Sequence, residues 1–156
     1  MAQEAGEARA LATNRKAFFS YEILDRAEAG VVLLGTEVKS IREGGFNFRD
    51  SYVEFRGGEL FLVGCRIGPY SHGNLLNHAE DRVRKLLLHK REIRKLIGAT
   101  TQKGLTLVPL EVYFKDGLAK VAIALARAKK LHDKREDLKR READRELARA
   151  VRGRRE

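Results

Sequence analysis

The fold class is decided by residues 51–63, which read SYVEFRGGELFLV. Apolar residues alternate on both sides of Gly57-Gly58, and glycine readily adopts the positive φ that both positions of a tight hairpin turn require. This register places Phe55 opposite Leu60 and Val53 opposite Leu62 on one face. It places Arg56 opposite Glu59 on the other face, so apolar and charged pairs agree. The stretch therefore predicts an antiparallel hairpin with one apolar face.

A second hairpin is predicted from Leu105–Lys115 and Leu118–Ala128, joined by the turn Asp116-Gly117. The turn implies three apolar pairs on one side of the hairpin: Val112 with Val121, Leu110 with Ile123, and Val108 with Leu125. Pro109 then falls on the opposite face. Because proline has no backbone N–H to donate to a ladder, Pro109 indicates an edge position or a bulge.

The segments around these hairpins predict shorter elements. The apolar stretch Phe18–Leu34, broken at Glu28-Ala29-Gly30, predicts two strands with a turn or bulge between them. Three further predictions are a short helix over Thr36–Arg42 closed by Gly44-Gly45, a long exposed loop over Pro69–Asp81, and a helix over His89–Gly98 with Gly98 as its stop. The chain therefore reads as mainly β with short helices.

The number and order of the elements favour one architecture. About six strands in a chain of 156 residues suit a small closed antiparallel barrel, for which the oligonucleotide-binding (OB) type is the best-known candidate. We predict a disordered leader over residues 1–13, a barrel over residues 14–126 and a basic tail over residues 127–156. The tail begins where the composition changes abruptly.

The charge distribution points to a polyanionic partner. The chain has 32 Lys and Arg against 22 Asp and Glu, and its net charge is +10. Residues 127–156 contribute +6 and residues 1–126 contribute +4. RNA, DNA and anionic membrane surfaces all fit this excess.

The tail predicts a marginal helix. Glu136 with Arg140, Asp137 with Arg141, and Glu142 with Arg145 have helical ion-pair spacing. The apolar residues are too sparse to form a continuous face, so the helix should be disordered alone and become ordered against a large charged partner. A solvated charge run of no specific purpose is the alternative.

Several functional classes lack their signatures. Cys65 is the only cysteine and reads as a buried hydrophobe, which fits a reducing cytoplasm. No segment approaches the ~18 apolar residues of a membrane span, and the N-terminus lacks a signal-peptide core. His72, His78, His89 and His132 do not have metal-site spacing, and no nucleophile elbow or phosphate-binding loop is present. We therefore expect no enzyme activity, metal or cofactor.

An ordered set of motifs resembles one known family, the small protein B or SsrA-binding proteins. The motifs run from Asn14 to the tail: Asn14-Arg15-Lys16-Ala17, Glu28-Ala29-Gly30, Gly35-Thr36-Glu37-Val38-Lys39-Ser40, Asp50-Ser51-Tyr52, Arg84-Lys85-Leu86-Leu87-Leu88, Lys129-Lys130 and His132-Asp133-Lys134-Arg135. No single motif suffices, but their order and spacing are specific.

The resemblance implies a function in trans-translation. It implies a closed six-stranded barrel that binds the tRNA-like domain of transfer-messenger RNA (tmRNA) and delivers it to stalled ribosomes. The tail would become helical in the empty mRNA channel of the small subunit, near the decoding centre. It also implies a cytoplasmic monomer bound to one tmRNA, with elongation factor Tu in the delivered complex. A generic OB-type protein that binds rRNA or tRNA is the alternative.

The resemblance also assigns residues. The positions implied to bind tmRNA are Asn14, Arg15, Lys16, Glu28, Thr36, Glu37, Lys39, Arg42, Lys85 and Leu87. Of these, Thr36, Glu37, Lys39 and Arg42 are expected on or beneath the RNA surface, and Leu87 is either an RNA contact or core. The positions implied to meet the ribosome are Lys129, Lys130, His132, Asp133, Lys134 and Arg135. Departures from the family pattern are Phe19 for histidine, Ala128 for glycine, and Ala79-Glu80 for Asp-Pro.

Overall fold

A computed structural model describes residues 9–73 and 77–153, with the side chains of all of these except residues 102, 103, 131 and 132. In these ranges the strands are β1 (Ala12–Thr13), β2 (Tyr21–Val31), β3 (Phe46–Asn47), β4 (Tyr52–Arg56), β5 (Glu59–Val63), β6 (Arg66–Ile67), β7 (Arg84–Leu87), β8 (Thr106–Lys115) and β9 (Leu118–Ala128). The helices are α1 (Arg15–Ser20), α2 (Gly35–Arg42), α3 (Lys90–Lys103) and α4 (Leu131–Gly153). The prediction of a mainly β chain with helices is confirmed.

The strands form one large sheet and a small one. The large sheet has the order β1-β8-β9-β2-β7-β5-β4, and β3 pairs with β6 in the small sheet. Every pairing is antiparallel. Among the described residues no ladder joins β4 to β1, so the sheet is not closed by hydrogen bonds.

The first hairpin has the predicted register. Val53 pairs with Leu62 and Phe55 with Leu60, and both turn glycines have positive φ. Arg56 and Glu59 are also register partners, yet their side chains do not form the expected charge pair. Arg56 instead contacts Glu54 at 2.9 Å, and Glu59 accepts from Lys85 of β7 at 2.8 Å. The neighbouring strand supplies a partner that the hairpin alone does not reveal.

The second hairpin is predicted correctly only near its turn. Val112 pairs with Val121 as expected, and the Asp116-Gly117 turn has φ values of 52° and 75°. The predicted pairs of Leu110 with Ile123 and Val108 with Leu125 are wrong. The ladder slips between Pro109 and Glu111, so that Pro109 pairs with Ile123 and Val108 with Ala124.

The slip at Leu110 divides the apolar residues of β8 between two cores. An extra residue in a strand reverses which face the following side chains occupy. Val108 and Leu110 therefore pack with Ala17 of α1 in an outer cluster, whereas Leu107 and Val112 belong to the main core. The bulge that Pro109 indicated is present, and it returns Val112 to the main core after Val108 and Leu110 have faced α1.

Two other boundaries differ from prediction. Phe18–Leu34 does not contain two strands, because α1 runs to Ser20 and β2 is one strand with a register shift between Ile23 and Asp25. The predicted helix over Thr36–Arg42 is confirmed. The helix starting after His89 does not stop at Gly98.

Helix α3 continues to Lys103 and ends at Gly104, which has a left-handed φ of 61°. Its Ile93 and Leu96 are buried in the main core, together with Cys65, which is 1% exposed as expected for a buried hydrophobe. Helix α3 is therefore anchored by one face and leaves the other exposed.

Secondary structure is also present on both sides of the predicted barrel, in the leader and in the tail. Ala12 and Thr13 pair with β8, so the last two residues of the predicted leader form a strand, whereas residues 1–8 lie outside the described part. In the tail, α4 is a single helix whose Leu138, Leu147 and Val151 are exposed, as their sparse spacing predicts.

Candidate nucleic-acid interface

A groove between β2, β7 and the start of α3 brings two of the assigned residues together. Its volume is about 660 Å³. It is lined by Asp25, Arg26, Ala27, Glu28, Gly30, Leu87, Leu88, His89, Glu92, Lys95, Leu96 and Lys120. Glu28 comes from β2 and Leu87 from β7. Leu87 pairs with Gly30, two residues along β2 from Glu28, so Glu28 and Leu87 are diagonal neighbours.

The floor of the groove is apolar and open. Leu87 is 51% exposed, which excludes the core interpretation of this residue. Its strand partner is Gly30, where a Cβ would lie 3.4 Å from the Cβ of Leu87. Because glycine has no side chain, the surface beside Leu87 is not covered.

Glu28 is held in place by a tyrosine from β8. The hydroxyl of Tyr113 donates to Oε2 of Glu28, and Lys115 Nζ lies 3.5 Å from Oε1. The hydrogen bond from Tyr113 lowers the pKa of Glu28, and the charge of Lys115 acts in the same direction. Burial and the carboxylate together raise the pKa of Tyr113. Glu28 is therefore ionised and Tyr113 neutral over the physiological range.

Cations lie around the groove. Lys95 of α3 is 3.6 Å from Asp25, and the guanidinium of Arg26 lies 5.6 Å from the ring centre of Phe18. Lys120 lines the wall formed by β9. These three cations are matched in number by three carboxylates of the lining, Asp25, Glu28 and Glu92, so a strand of RNA lying along this groove would meet both signs of charge.

Helix α2 presents a second cationic surface. Lys39 and Arg42 are exposed, and each lies over an aromatic ring, with Lys39 5.4 Å from the centre of Tyr70 and Arg42 5.0 Å from that of Phe114. Thr36 Oγ1 lies 2.9 Å from Nδ1 of His78. These ring contacts hold two cations on one helix, where they could contact phosphates.

Glu37 of the same helix lies beneath this surface and cannot touch an RNA. Its side chain is fully buried, its Oε2 accepts from Arg84 at 2.6 Å, and its Oε1 accepts from the backbone N–H of Leu34 at 2.8 Å. Arg82 also donates to Oε1. Burial alone would raise the pKa of Glu37, but the hydrogen bonds from Arg82, Leu34 and Arg84 together lower it.

Asn14 is also occupied within the protein. It is buried, its Nδ2 donates to the carbonyl of Pro109 at 2.8 Å, and its Oδ1 accepts from the N–H of Ala17 at 3.2 Å. The side chain therefore caps α1 and ties it to the bulge of β8. Each end of the amide makes one bond within the protein, so an RNA contact would use its second N–H or second lone pair.

The other assigned basic residues of the barrel are exposed or partly exposed. Arg15 lies in an exposed position at the start of α1, and the adjacent Lys16 forms an exposed ion pair with Asp50. Lys85 pairs with Glu59. Arg15 and Lys16 lie on α1, away from the groove, whereas Lys85 lies on β7, the strand that also carries Leu87. The assigned set is therefore distributed over several surfaces.

The base of the tail contacts α1. Lys129 donates its backbone N–H to Ser20 at 2.9 Å and its Nζ to the carbonyl of Phe18 at 3.3 Å, and its Nζ also pairs with Asp137 of α4. Arg141 lies 5.3 Å from the ring centre of Phe19. Phe19, one of the three departures from the family pattern, therefore contacts the tail.

The remaining tail residues are available to a partner. Lys130, Asp133 and Arg135 are exposed and Lys134 is partly exposed. The side chain of His132 lies outside the described residues. Two further departures from the family pattern are described. Ala128 is the last residue of β9. At Ala79-Glu80, Glu80 forms an ion pair with Arg66 at 2.6 Å.

Sequence reasoning missed three residues of the groove. Tyr113, Lys120 and Gly30 are brought to Glu28 and Leu87 by strand pairing across β8, β9, β2 and β7. For Tyr113, the only signal in the sequence was the alternation of residues along β8. The bulge at Leu110 made it ambiguous which face of the strand Tyr113 occupies.

Metal-ligand clusters and membrane-spanning helices are both absent from the described part of the chain. No group of three or more His, Cys, Asp and Glu residues there could hold a metal ion. No helix there is long and apolar enough to cross a membrane.

Comparisons with known proteins agree on one family. A family model described as "SmpB protein" matches residues 11–153. The SsrA-binding protein of Enterococcus faecalis is 55% identical over 150 residues, covering 96% of this chain and 97% of that protein. The SsrA-binding protein of Desulforudis audaxviator is 57% identical over 140 residues, covering 90% and 92%.

A solved structure is similar as well. A chain described under "tmRNA-SmpB: a journey to the center of the bacterial ribosome" is 52% identical, with a TM-score of 0.65. The match covers 77% of this chain and 85% of that one.

Proposed function

The chain belongs to the SmpB protein family, and we propose that it binds the tRNA-like domain of tmRNA and delivers it to stalled ribosomes. The observation that carries this proposal is the family match over residues 11–153, which spans both the groove and the cationic tail. Trans-translation then rescues the ribosome and tags the incomplete peptide. The protein acts as a binding factor and not as an enzyme.

The body that binds tmRNA is a closed six-stranded barrel of the OB type over residues 14–126. The proximity of β4 to β8 supports closure, because these strands lie at opposite ends of the sheet order apart from the two-residue β1. The groove and the cations of α2 lie on this body. Folded RNA is recognised largely through backbone geometry, 2′-hydroxyls and unstacked bases, which such a surface can contact.

The tail, residues 127–156, binds in the empty mRNA channel. Its cations Lys129, Lys130, Lys134 and Arg135 contact rRNA phosphates, while His132 stacks on a base of the decoding centre, a contact worth ~1 to 3 kcal/mol. The tail is disordered in the isolated protein and becomes helical on the ribosome. The exposure of Leu138, Leu147 and Val151 supports this, since the described helix buries little apolar surface.

The complex forms in the cytoplasm from one monomer and one tmRNA, with elongation factor Tu as a further partner. No cofactor or metal takes part.

Competition distinguishes this function from that of a generic RNA-binding barrel. Labelled tRNA-like domain is bound to the full chain at moderate salt, and bulk tRNA is added in increasing excess. We expect the complex to persist, because specific binding exceeds non-specific binding by about 10³-fold or more. Release by a modest excess of bulk tRNA would support the generic alternative and contradict the proposal.

A further inference from the structure

The ladder between β2 and β9 brings the end of α1 and the start of the tail helix to the same corner of the sheet. Tyr21, which directly follows α1, pairs with Ala128. The backbone N–H of Lys129 donates to the carbonyl of Ser20 at 2.9 Å, and α4 begins soon afterwards at Leu131. Strand pairing therefore places α4 where its first turns can contact α1.

The side chain of Lys129 joins the two helices. Its Nζ donates to the carbonyl of Phe18 at 3.3 Å and also pairs with the carboxylate of Asp137 in α4. The last carbonyls of a helix have no partner within it and carry partial negative charge, so they stabilise a cation placed beside them. The side chains of Lys129 and Asp137 are only 17% and 23% exposed. The pair is therefore partly shielded from solvent between the helices.

A second contact lies one helical turn further along α4. The guanidinium of Arg141 is 5.3 Å from the ring centre of Phe19 in α1. Residues four apart lie on the same face of a helix, so Asp137 and Arg141 both face α1. From residue 138 to residue 153 every residue is exposed. In the described part of the chain, the ion pairs and ring contacts that join α4 to the rest of the protein come from its first three turns.

The length of α4 makes its direction important. It has 23 residues, which at a rise of about 1.5 Å per residue give a helix roughly 35 Å long. A change of about 20° in its direction would move the far end by about 12 Å, the diameter of a helix with its side chains. Contacts at the base of α4 therefore determine where the rest of the tail lies.

The contacts at this base are weak and reversible. An ion pair that solvent can reach and a cation over a partly exposed ring each stabilise a structure only slightly. They act once a partner has ordered the tail, because the sparse apolar residues of α4 add little to them.

We propose that the C-terminal end of α1 is the docking surface for the chain's own tail helix and fixes the direction in which this helix leaves the barrel. The contacts that form this clasp are those of Lys129 with Phe18 and Asp137 and of Arg141 with Phe19. The inference rests on the proposed function and specifies how the barrel, bound to tmRNA, directs the ordered tail into the mRNA channel.

The test breaks the clasp without changing the net charge of the tail. The clasp variant combines Asp137→Asn with Arg141→Gln, and the matched control combines Asp144→Asn with Arg145→Gln. The control residues are exposed and lie further along the same helix. Each chain is measured for its affinity for the tRNA-like domain of tmRNA and for peptide tagging on stalled ribosomes.

A spectroscopic measurement reports the direction of the tail itself. Spin labels are attached to the substitutions Arg56→Cys, in the first hairpin, and Ala150→Cys, near the end of α4. Both positions are exposed, whereas the native Cys65 is buried and does not take up the label. Pulsed electron paramagnetic resonance then gives the distribution of distances between the labels in the complex with tmRNA on stalled ribosomes.

We expect the clasp variant to lower tagging by about 3- to 30-fold, the range that two such contacts supply, while its affinity for the tRNA-like domain stays within about two-fold. Its distance distribution should be broader than that of the wild type, because the base of the helix is free to turn. The control variant should match the wild type in all three measurements.

The contact between Phe19 and Arg141 is tested separately by a double-mutant cycle. Phe19→Leu and Arg141→Gln should each lower tagging, and the two together should lower it no more than the larger single effect, because they remove the same contact. Phe19→Tyr keeps an aromatic ring and should tag as the wild type does. Additive losses from Phe19→Leu and Arg141→Gln would remove this contact from the clasp.

Two results would overturn the proposal. One is a clasp variant that keeps the wild-type tagging rate or the wild-type distance distribution. The other is an equal loss of tagging in the control variant, which would show that the charges of the tail act without the clasp. In both cases the wild-type chain still binds the RNA and supports tagging, so the proposed function survives. Failure of the wild-type chain to do either would instead contradict the proposed function itself.

Discussion

Replacing Glu37 by glutamine should destabilise the fold more than any other single loss of charge in the barrel. The carboxylate and Arg84 are both fully buried, and they lie 2.6 Å apart. The substitution keeps the shape of the side chain but removes its charge. The charge of Arg84 is then left buried beside a neutral amide.

The size of the effect follows from this burial. Breaking a buried ion pair by removing one partner costs about 3–5 kcal/mol, because the remaining charge is not compensated. A domain of this size has a total stability of about 5–15 kcal/mol, so the loss is a large fraction of it. The N–H of Leu34 also loses a charged acceptor, which loosens the first turn of α2.

Urea unfolding at neutral pH measures this loss as a change in the free energy of unfolding. The matched control is Glu80→Gln, since Glu80 and Arg66 form a pair at the same 2.6 Å distance but are each 40% exposed. An exposed pair contributes about 0–1 kcal/mol, so the control should stay close to the wild type. A double variant, Glu37→Leu with Arg84→Met, should recover much of the stability, because no fully buried charge is left unpaired and Arg82, the other partner of Glu37, is 33% exposed.

The pH dependence has a definite sign. The folded-state pKa of Glu37 lies below its ordinary value of 4.5, so the carboxylate stabilises the fold above that pH. This contribution is lost as the pH falls through the lowered folded value. The Glu37→Gln variant should therefore lose less stability on acidification than the wild type. A cost below about 1 kcal/mol for Glu37→Gln at neutral pH would refute the reasoning, because it would place the pair in solvent.

Three further predictions concern other parts of the chain. The double substitution Lys39→Ala and Arg42→Ala should weaken tmRNA binding and lower the salt slope of the affinity by about 1 to 2, as a filter-binding series at several salt concentrations would show; an unchanged slope would exclude phosphate contacts by α2. Deleting Leu110 should remove the bulge and misplace Val108, lowering the thermal midpoint by several degrees or more, whereas an unchanged midpoint would show that the bulge is not needed for packing α1. A peptide of residues 131–153 should be largely unfolded by circular dichroism at 25 °C; a strongly helical spectrum would contradict the disordered-tail proposal.

The sequence predicts those features that depend on local pattern. The Gly57-Gly58 turn and the alternation around it are enough for the register of the first hairpin, because neighbouring residues determine it. The second hairpin fails beyond Val112, since a single extra residue at Leu110 is not visible as a break in an already apolar strand. Gly98 misled the reading of α3, because glycine is tolerated within a helix whose Ile93 and Leu96 are anchored in the core.

The sequence predicted some residues of the candidate site but not how they are arranged. The family resemblance implied that Glu28 and Leu87 bind RNA. Only the strand pairing shows that they line one groove, next to Tyr113. Glu37 and Asn14 show the opposite case. Their polar side chains suggest a surface role, whereas the structure buries both among protein partners that come from distant parts of the sequence.

The central claim is that the barrel binds tmRNA while the tail acts on the ribosome. Deleting residues 131–156 tests it, because this truncation keeps Lys129 and its bonds to Phe18 and Ser20. Affinity for the tRNA-like domain and peptide tagging on stalled ribosomes are then measured for the same preparation. We expect affinity within a few-fold of the full chain and no tagging. Loss of RNA binding, or tagging at the full rate, would contradict the division between barrel and tail.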